Sequence, residues 1–365
     1  MIYNPKTSKR YISLFLCTLC VTLSSWAQGV SDTKRSTRTF SVNRETNIEV
    51  NNKYGMVTVE TWNYDSVKFV IVATASAPTN ADLNVSLNNI DFQFINTDHF
   101  VLAKTIIINP TRVILNDLKS IFNNSNSMNI EYKLYVPKTV NLKIENKYGD
   151  IYANSLSGSI SINLSYGKLK MNQIDGQLTL NLNYVDNAEI EKATHCKAAL
   201  SFSNVLLKHI ASLDMNSNFS KIDINQVDDI QLQSSNDEIS IGEMKTGDCN
   251  AKFSKINIGY LGYSFIGDTK FGTITFKKPA SSFSKINLGS KYTDVNIFFD
   301  DESVGFDLEI ENKKTRILYP RMFNLKEELI NQKENSYRTS GHIGKQSNSK
   351  VFIDANCGNI NIKMR

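Results

Sequence analysis

Hydrophobic and polar residues alternate in short runs that recur about every 18 residues through the middle of the chain. Residues 141–158 and 159–176, written one above the other, place apolar residues in the same columns. The alternation has a period of two on both sides of an aromatic column, which predicts two short strands in each repeat. The aromatic column consists of Tyr148, Tyr166, Tyr184, Phe202, Phe219, Phe253 and Phe271, with Asn236 where one ring is skipped.

This repeat predicts an all-β fold, namely a β-solenoid of the parallel β-helix kind with about 18 residues per turn. The glycines that follow the ring, such as Gly149, and those that close a row, such as Gly158, mark corners of the chain. We expect the rings to point inward and to form a stacked spine. Because alternation alone does not determine strand direction, a two-layer antiparallel β-sandwich remains the alternative.

A single earlier copy of the repeat lies at residues 48–62, and the letters NKYG occur both at Asn52 and at Asn146. About ninety residues separate this copy from the main run. We expect the insert to form a small α+β cap that covers the N-terminal edge of the solenoid. The pattern within it predicts strands at 67–75, 92–95, 101–108 and 130–136, and helices at 79–89 and 111–122.

Residues 1–27 have the pattern of a secretory signal peptide. Three basic residues within 6–10 precede an apolar stretch over 11–23, and small residues predict cleavage before Gln28. The apolar stretch is too short to span a membrane as a helix, and no longer one follows. We therefore expect an exported protein of the periplasm or cell surface, with no transmembrane segment in the mature chain.

The predicted organisation has five parts. They are a signal peptide (1–27), a first solenoid turn with the cap insert (28–136), the solenoid repeats (137–299), an irregular or helical insertion (300–350) and closing strands (351–365). Within the insertion, residues 324–330 predict a short helix. The polar stretch 332–350 predicts a loop, with a flexible contact arm as the functional alternative.

Charge and cysteine content narrow the set of partners. Cleavage removes three positive charges and no negative charge, which takes the formal net charge from +5 to +2. A nearly neutral chain gives no reason to expect nucleic acid as a partner.

Cys196, Cys249 and Cys357 fall in columns that we expect to face inward, and a disulfide between two of them is the alternative. His195 and His209 are expected at different corners, so we predict no zinc site.

The segment 132–171 reads YKLYVPKTVNLKIENKYGDIYANSLSGSISINLSYGKLKM, in which a strand ending at Val136-Pro137 leads into the repeats. It resembles the putative adhesin family of exported bacterial β-solenoid proteins, which is related to auto-transporter adhesin head domains. The resemblance covers residues 48–297 and 351–362, and it departs at 300–350 and at Asn236. It implies a solenoid fold and an adhesin-like role, and it brings no catalytic residues.

Enzyme signatures are missing from the sequence, which contains no GxSxG, HExxH, GxxxxGK(S/T) or GxGxxG. The acidic pairs at 228–229 and 300–301 are expected at hydrated corners. We therefore expect a protein that is not an enzyme and that needs no cofactor.

One surface feature repeats. The letters FSKI occur at Phe219, Phe253 and Phe283, and the inward Phe and Ile should leave the lysine between them outside. We predict a ligand-contact stripe that binds an acidic glycan or lipopolysaccharide through charge and ring stacking. The alternative is a solvated edge at which lysine prevents sheet aggregation. The predicted stripe comprises Lys221, Lys255, Lys285, Tyr260 and Tyr263.

Two functions follow from these features. The first is a non-enzymatic envelope protein that binds a surface polymer or a partner protein, and the alternative is a structural or regulatory scaffold of the bacterial envelope. The sequence does not specify the partner or the oligomeric state.

Overall fold

The computed structural model describes residues 29–108, 127–299 and 304–364, and this part of the chain is all-β apart from one helix, α1 (Asn80–Asn88). The signal peptide, the predicted helix at 111–122 and the acidic pair at 300–301 lie outside the described residues. The strands are β1 (Val30–Ser41), β2 (Asn47–Lys53), β3 (Val57–Trp62), β4 (Ser66–Ala77), β5 (Ile90–Thr97), β6 (Phe100–Ile107), β7 (Ser127–Pro137), β8 (Asn141–Lys147), β9 (Ile151–Ala153), β10 (Ile160–Ser201), β11 (Asn204–Asn218), β12 (Lys221–Ser235), β13 (Glu238–Lys252), β14 (Lys255–Lys270), β15 (Thr273–Pro279), β16 (Lys285–Lys291), β17 (Asp294–Phe299), β18 (Phe306–Leu318), β19 (Lys326–Asn331), β20 (Ser336–Ile343) and β21 (Lys350–Met364).

The chain divides into two compact units, and the smaller one comprises residues 1–34, 73–91 and 107–128. Its described part contains α1, which begins after Thr79. The Thr79 hydroxyl accepts a hydrogen bond from the backbone N–H of Asp82 at 3.1 Å, which is a standard helix N-cap. Leu83 on this helix is buried against Ala75 and Ala77. The helix predicted at 79–89 is therefore confirmed.

The larger unit comprises residues 35–72, 92–106 and 129–365, and its repeated strands pair in parallel with the strands one repeat away along the chain. Ile160 lies opposite Leu142, and Ile256 lies opposite Ile239. These residues are buried, so like side chains stack upon like side chains along the inner columns. A fully buried aliphatic side chain of this kind stabilises a fold by about 1.5–3 kcal/mol. The pairing is parallel, not antiparallel as a sandwich of hairpins would require.

The early copy of the repeat joins the same ladder. Ile48 in β2 lies opposite Leu142 in β8, and Val57 in β3 lies opposite Ile151 in β9. The register therefore matches the predicted alignment, although the partners lie far apart in the sequence. On their other sides, β2 pairs with β6 and β3 pairs with β7. The strands predicted at 67–75, 92–95, 101–108 and 130–136 correspond to β4, β5, β6 and β7.

The C-terminal strands depart from chain order. β21 pairs in parallel with β16 and β17 on one side and with β18 on the other. The last strand of the chain therefore lies between β16 and β17 and the earlier strand β18. β18 then pairs with β20, and β20 with β19, both antiparallel.

The helix predicted at 324–330 is wrong, because residues 326–331 form β19, and the predicted loop at 332–350 is wrong where β20 lies. Lys326 and Glu328 form an ion pair at 2.5 Å, and residues two apart share a face only on a strand. Every residue of β19 is exposed, so no buried apolar stripe supports a helix there.

Candidate functional site

A line of aromatic residues follows one corner of the larger unit, and we call it the ring column. Its members share a left-handed backbone, with φ between 49° at Phe219 and 65° at Tyr54. That conformation is unfavourable for a residue with a Cβ atom by roughly 1–2 kcal/mol. The ring column consists of Tyr54, Tyr148, Tyr166, Tyr184, Phe202, Phe219, Phe253, Phe271 and Tyr292.

Rings in neighbouring turns lie face to face. The centroids of Tyr166 and Tyr184 are 5.0 Å apart with their planes at 1°, and those of Phe202 and Phe219 are 5.0 Å apart at 2°. The same stacking connects Phe253 to Phe271 at 5.0 Å. An aromatic pair contributes about 0.5–1.5 kcal/mol beyond its burial, which offsets much of the backbone strain.

The predicted inward spine is wrong in its direction. The rings do stack, but from Tyr148 to Tyr292 they are exposed, from 42% at Tyr148 to 57% at Phe253. The reason is the left-handed residue, which interrupts the alternation of the strands. Asn146 and Ile151 are both buried, and the ring between them turns out toward solvent. Cys357 occupies the same kind of position, with φ of 61°, and is only partly buried.

Lysines lie beside the ring column at both ends. Lys53 Nζ is 4.7 Å from the centroid of Tyr54, and Lys147 Nζ is 5.0 Å from that of Tyr148, as cation–π contacts. At the other end Lys252, Lys270 and Lys291 precede their rings and lie opposite one another in β13, β14 and β16, which pair side by side. These three exposed ammonium groups form no ion pair with any other described residue, so this flank is cationic.

The predicted lysine stripe is brought together only in part. Lys221 and Lys255 lie in one column beside the ring column, with Glu238 between them, and Glu238 forms an ion pair with Lys255 at 3.3 Å. Lys285 lies in another column, opposite Ser264 and Lys350.

The FSKI letters take two different positions. Phe219 and Phe253 are exposed members of the ring column, whereas Phe283 is buried. The predicted inward Phe is therefore correct only for Phe283. The spacing already contained this signal, because the interval from Phe219 to Phe253 is close to two repeats and the interval from Phe253 to Phe283 is shorter.

The two predicted tyrosines lie at a different corner from the ring column. Tyr260 pairs with Glu243 and Lys278, and Tyr263 falls where the register between β13 and β14 shifts. Both are exposed, but neither stacks with a member of the ring column.

Asn236 interrupts the ring column. It keeps the left-handed backbone, with φ of 59°, and its N–H donates to the Lys252 carbonyl at 3.0 Å as in the other turns. Its short side chain donates to Ser235 Oγ at 3.0 Å. The corner thus forms without a ring, and a gap one turn high separates Phe219 from Phe253.

A buried carboxylate holds this corner from inside. Asp237 accepts hydrogen bonds from the hydroxyls of Ser217 and Ser234, both at 2.6 Å, and from the N–H of Ser220 at 2.8 Å. Ser254 Oγ in turn accepts the N–H of Asp237 at 3.2 Å. Three consecutive turns are therefore connected behind the gap.

Two of the free cysteines lie in the core, and His209 lies at the surface. Cys196 and Cys249 are buried as predicted, and burial raises the pKa of each thiol to about 12, which keeps it protonated. His209 contacts Gln226, with Nδ1 3.3 Å from the amide oxygen. Within the described ranges, no three His, Cys, Asp or Glu side chains are grouped as metal ligands.

No helix among the described residues is long and apolar enough to span a membrane.

No protein-family model matches the chain, and no curated protein matches it. Several solved structures align with most of it at low identity. A putative cell adhesion protein from Clostridium sporogenes is 13% identical, covers 92% of this chain and all of its own, and has a TM-score of 0.18. A putative adhesin from Bacteroides fragilis is 10% identical, covers 90% of this chain and 97% of its own, and has a TM-score of 0.26.

A third structure, a putative lipid binding protein from Parabacteroides distasonis, is 12% identical over 72% of this chain and 96% of its own, with a TM-score of 0.36. TM-scores this low do not establish a shared fold or function.

Proposed function

We propose that this protein is an exported, non-enzymatic β-solenoid with about 18 residues per turn that binds an extended surface polymer along the ring column. The parallel register, which advances by one repeat from strand to strand, supports the solenoid. The leader pattern at 1–27 supports export to the periplasm or cell surface. The resemblance of residues 132–171 to the adhesin-like family agrees with a binding role.

The exposed ring column is the observation that carries this proposal. Asn236 demonstrates that the corner forms without a ring, yet nine other turns place a strained aromatic residue there. Stacking supplies part of the reason, but it does not require rings that are about half exposed. Exposed apolar rows and backbone strain both concentrate at binding sites.

The linear arrangement favours a ligand that repeats along its length. Equivalent rings recur about every 5 Å on one line, so a polymer can contact several of them at once. Because neighbouring rings cover each other's faces, the ligand lies mainly on their edges. The lysines at 252, 270 and 291 favour a polymer that carries acidic groups.

A binding assay with a matched control tests the proposal. Purified protein would be incubated with envelope polysaccharides, and bound polymer would be measured after pull-down. We expect the triple substitution Tyr166→Ser, Tyr184→Ser and Phe202→Ser to abolish retention. The control replaces three exposed tyrosines outside the ring column, Tyr64, Tyr260 and Tyr263, by serine and should bind normally.

Two results would contradict the proposal. Equal polymer retention by both triple variants would exclude the ring column as the binding surface. Recovery of one envelope protein and no polysaccharide would favour the scaffold alternative.

A further inference from the structure

We propose that the gap at Asn236 is a slot for one sugar ring that bears a carboxylate, a uronic acid unit of an acidic polysaccharide. The slot is bounded by Phe219 on one side and Phe253 on the other. This inference rests on the proposed function and names the ligand class that the ring column selects.

The height of the gap matches one ring. Phe219 and Phe253 lie two strand spacings apart, which is about 9.6 Å. Elsewhere in the ring column neighbouring ring centroids lie 4.9–5.5 Å apart, with 4.9 Å for Tyr184–Phe202, 5.1 Å for Phe271–Tyr292 and 5.5 Å for Tyr54–Tyr148. A ring inserted midway would therefore lie at the normal stacking distance from both walls.

The two walls each present an uncovered face. Phe202 and Phe271, which have a ring on both sides, are each 47% exposed, whereas Phe219 and Phe253 are 54% and 57% exposed. The residue type is the same, so the added exposure comes from the missing neighbour. A β-1,4-linked glucuronate unit carries its hydroxyls, its carboxylate and both linkages in equatorial positions, so each face of its ring presents C–H groups to the negative face of an aromatic ring.

The groups around the slot are polar and favour a sugar over an aromatic side chain. Asn236 lies at its base with a side-chain amide that offers both donor and acceptor atoms. Asn218 and Ser235 line one side, in the strand positions just before Phe219 and Asn236. The Asn236 amide donates one N–H to Ser235 Oγ and keeps its second N–H and its oxygen for a ligand, which suits the hydroxyls of a sugar better than a phenyl ring.

The charges around the slot favour a carboxylate. Lys221 lies on one side and Lys252 on the other, and neither forms an ion pair with another described residue. The acid in the same column, Glu238, is already paired with Lys255 at 3.3 Å. The mouth of the slot is thus cationic on both sides, as recognition of an anion requires.

Binding of a β-1,4-linked glucuronate trimer, measured by calorimetry in EDTA buffer, tests the slot. We expect Asn236→Phe to weaken binding at least about tenfold, because the new ring completes the ring column and fills the slot. Asn236→Gly leaves the slot open and suits the left-handed backbone, so it should retain most of the affinity. The methyl ester of the trimer, which keeps the ring but lacks the charge, should bind more weakly than the acid.

A second variant pair keeps the test valid if Asn236→Phe does not fold. Lys221→Glu with Lys252→Glu should abolish binding of the glucuronate trimer, whereas Lys245→Glu with Lys277→Glu, on exposed lysines elsewhere, should not.

The outcomes separate the slot from the proposed function. If wild type and Asn236→Phe bind β-1,4-linked polyglucuronate and its trimer equally, the slot is wrong and polymer binding stands. If the wild type binds neither these probes nor any envelope polysaccharide, both proposals fail. Equal binding of acid and ester would overturn the role of the carboxylate. Capture of N-acetyltyrosinamide instead of the glucuronate trimer would assign the slot to an aromatic side chain of a partner protein.

Discussion

The repeats between β8 and β17 and the single-copy strands β18 to β20 determine their register by different means. In the repeats, buried aliphatic columns, a buried Asp and Ser network and the ring column all align the same turns. β18 buries Phe306, Leu308 and Ile310, but the outer strands β19 and β20 bury few side chains and align partly through exposed ion pairs. Arg338 contacts Glu311 at 2.6 Å, and His342 contacts Asp307 at 2.8 Å. Exposed ion pairs contribute little, so the repeats should be stable and the single-copy strands should open first.

The largest effect is expected from Gly158→Ala. The added Cβ would overlap the carbonyl oxygen of Val140 in the neighbouring turn, where backbone cannot yield. We expect a loss of more than about 4 kcal/mol in the free energy of unfolding, measured by urea denaturation. Gly262→Ala is the matched control, because the nearest atom there is 3.5 Å away. Similar stability of the two variants would mean that the turns are not closely stacked.

Asp237→Ala should have the next largest effect. The substitution leaves the hydroxyls of Ser217 and Ser234 and the N–H of Ser220 without their acceptor. We expect a loss of about 3 kcal/mol in the free energy of unfolding. Asp237→Asn, which keeps one acceptor oxygen, should lose less. An unchanged urea midpoint for Asp237→Ala would exclude this network as a source of register.

Ring stacking should contribute less than either. Tyr166→Ala removes contacts with Tyr148 and Tyr184 and should lower the free energy of unfolding by about 1–2 kcal/mol. Tyr166→Gly removes the same contacts but also relieves the left-handed strain, so it should lose less than the alanine variant. The reverse order in thermal unfolding would argue against the left-handed backbone.

The smallest effect is a local dependence on pH in the single-copy strands. The hydrogen bond from His342 to Asp307 raises the pKa of the imidazole above its usual value. This contact therefore stabilises the β18–β20 pairing fully below the unfolded pKa of about 6.5, and the stabilisation disappears as the pH rises through the folded pKa. Hydrogen exchange in β20, corrected for the intrinsic rate, should reveal more opening at high pH. Asp307→Asn should remove that dependence, and exchange in β12 should show none.

Repetition explains which parts were predictable. A local or repeated sequence pattern predicts the stacked apolar columns, the distant first copy at 48–62 and the helix after Thr79. The single-copy strands β19 and β20 are not, because their pairing depends on partners that no second copy reveals. A short exposed run such as 326–331 is compatible with helix or strand until its backbone partner is known.

The direction of the rings could have been found from one residue. Asn236 replaces a ring in the same column, and Asn is the non-glycine residue that best tolerates a left-handed backbone. If the column faced inward, Asn236 would bury a polar side chain in the core. That substitution indicates both the corner conformation and its exposure, and it also locates the gap. The prediction that Lys285 shares a column with Lys221 and Lys255 rested on the four identical letters FSKI. The interval from Phe253 to Phe283 does not fit the repeat, and Lys285 lies in another column.

Spin-label distances along the ring column measure whether the repeats stack one upon the next. Pairs of labels at Tyr148 with Phe202, Phe219 or Phe271 would be measured in a background in which the three mature-chain cysteines are replaced by alanine. Stacked turns predict distances of about 14, 19 and 34 Å, which increase by one strand spacing for each turn. A Tyr148–Phe271 distance no longer than the Tyr148–Phe219 distance would contradict the solenoid and the binding surface built on it.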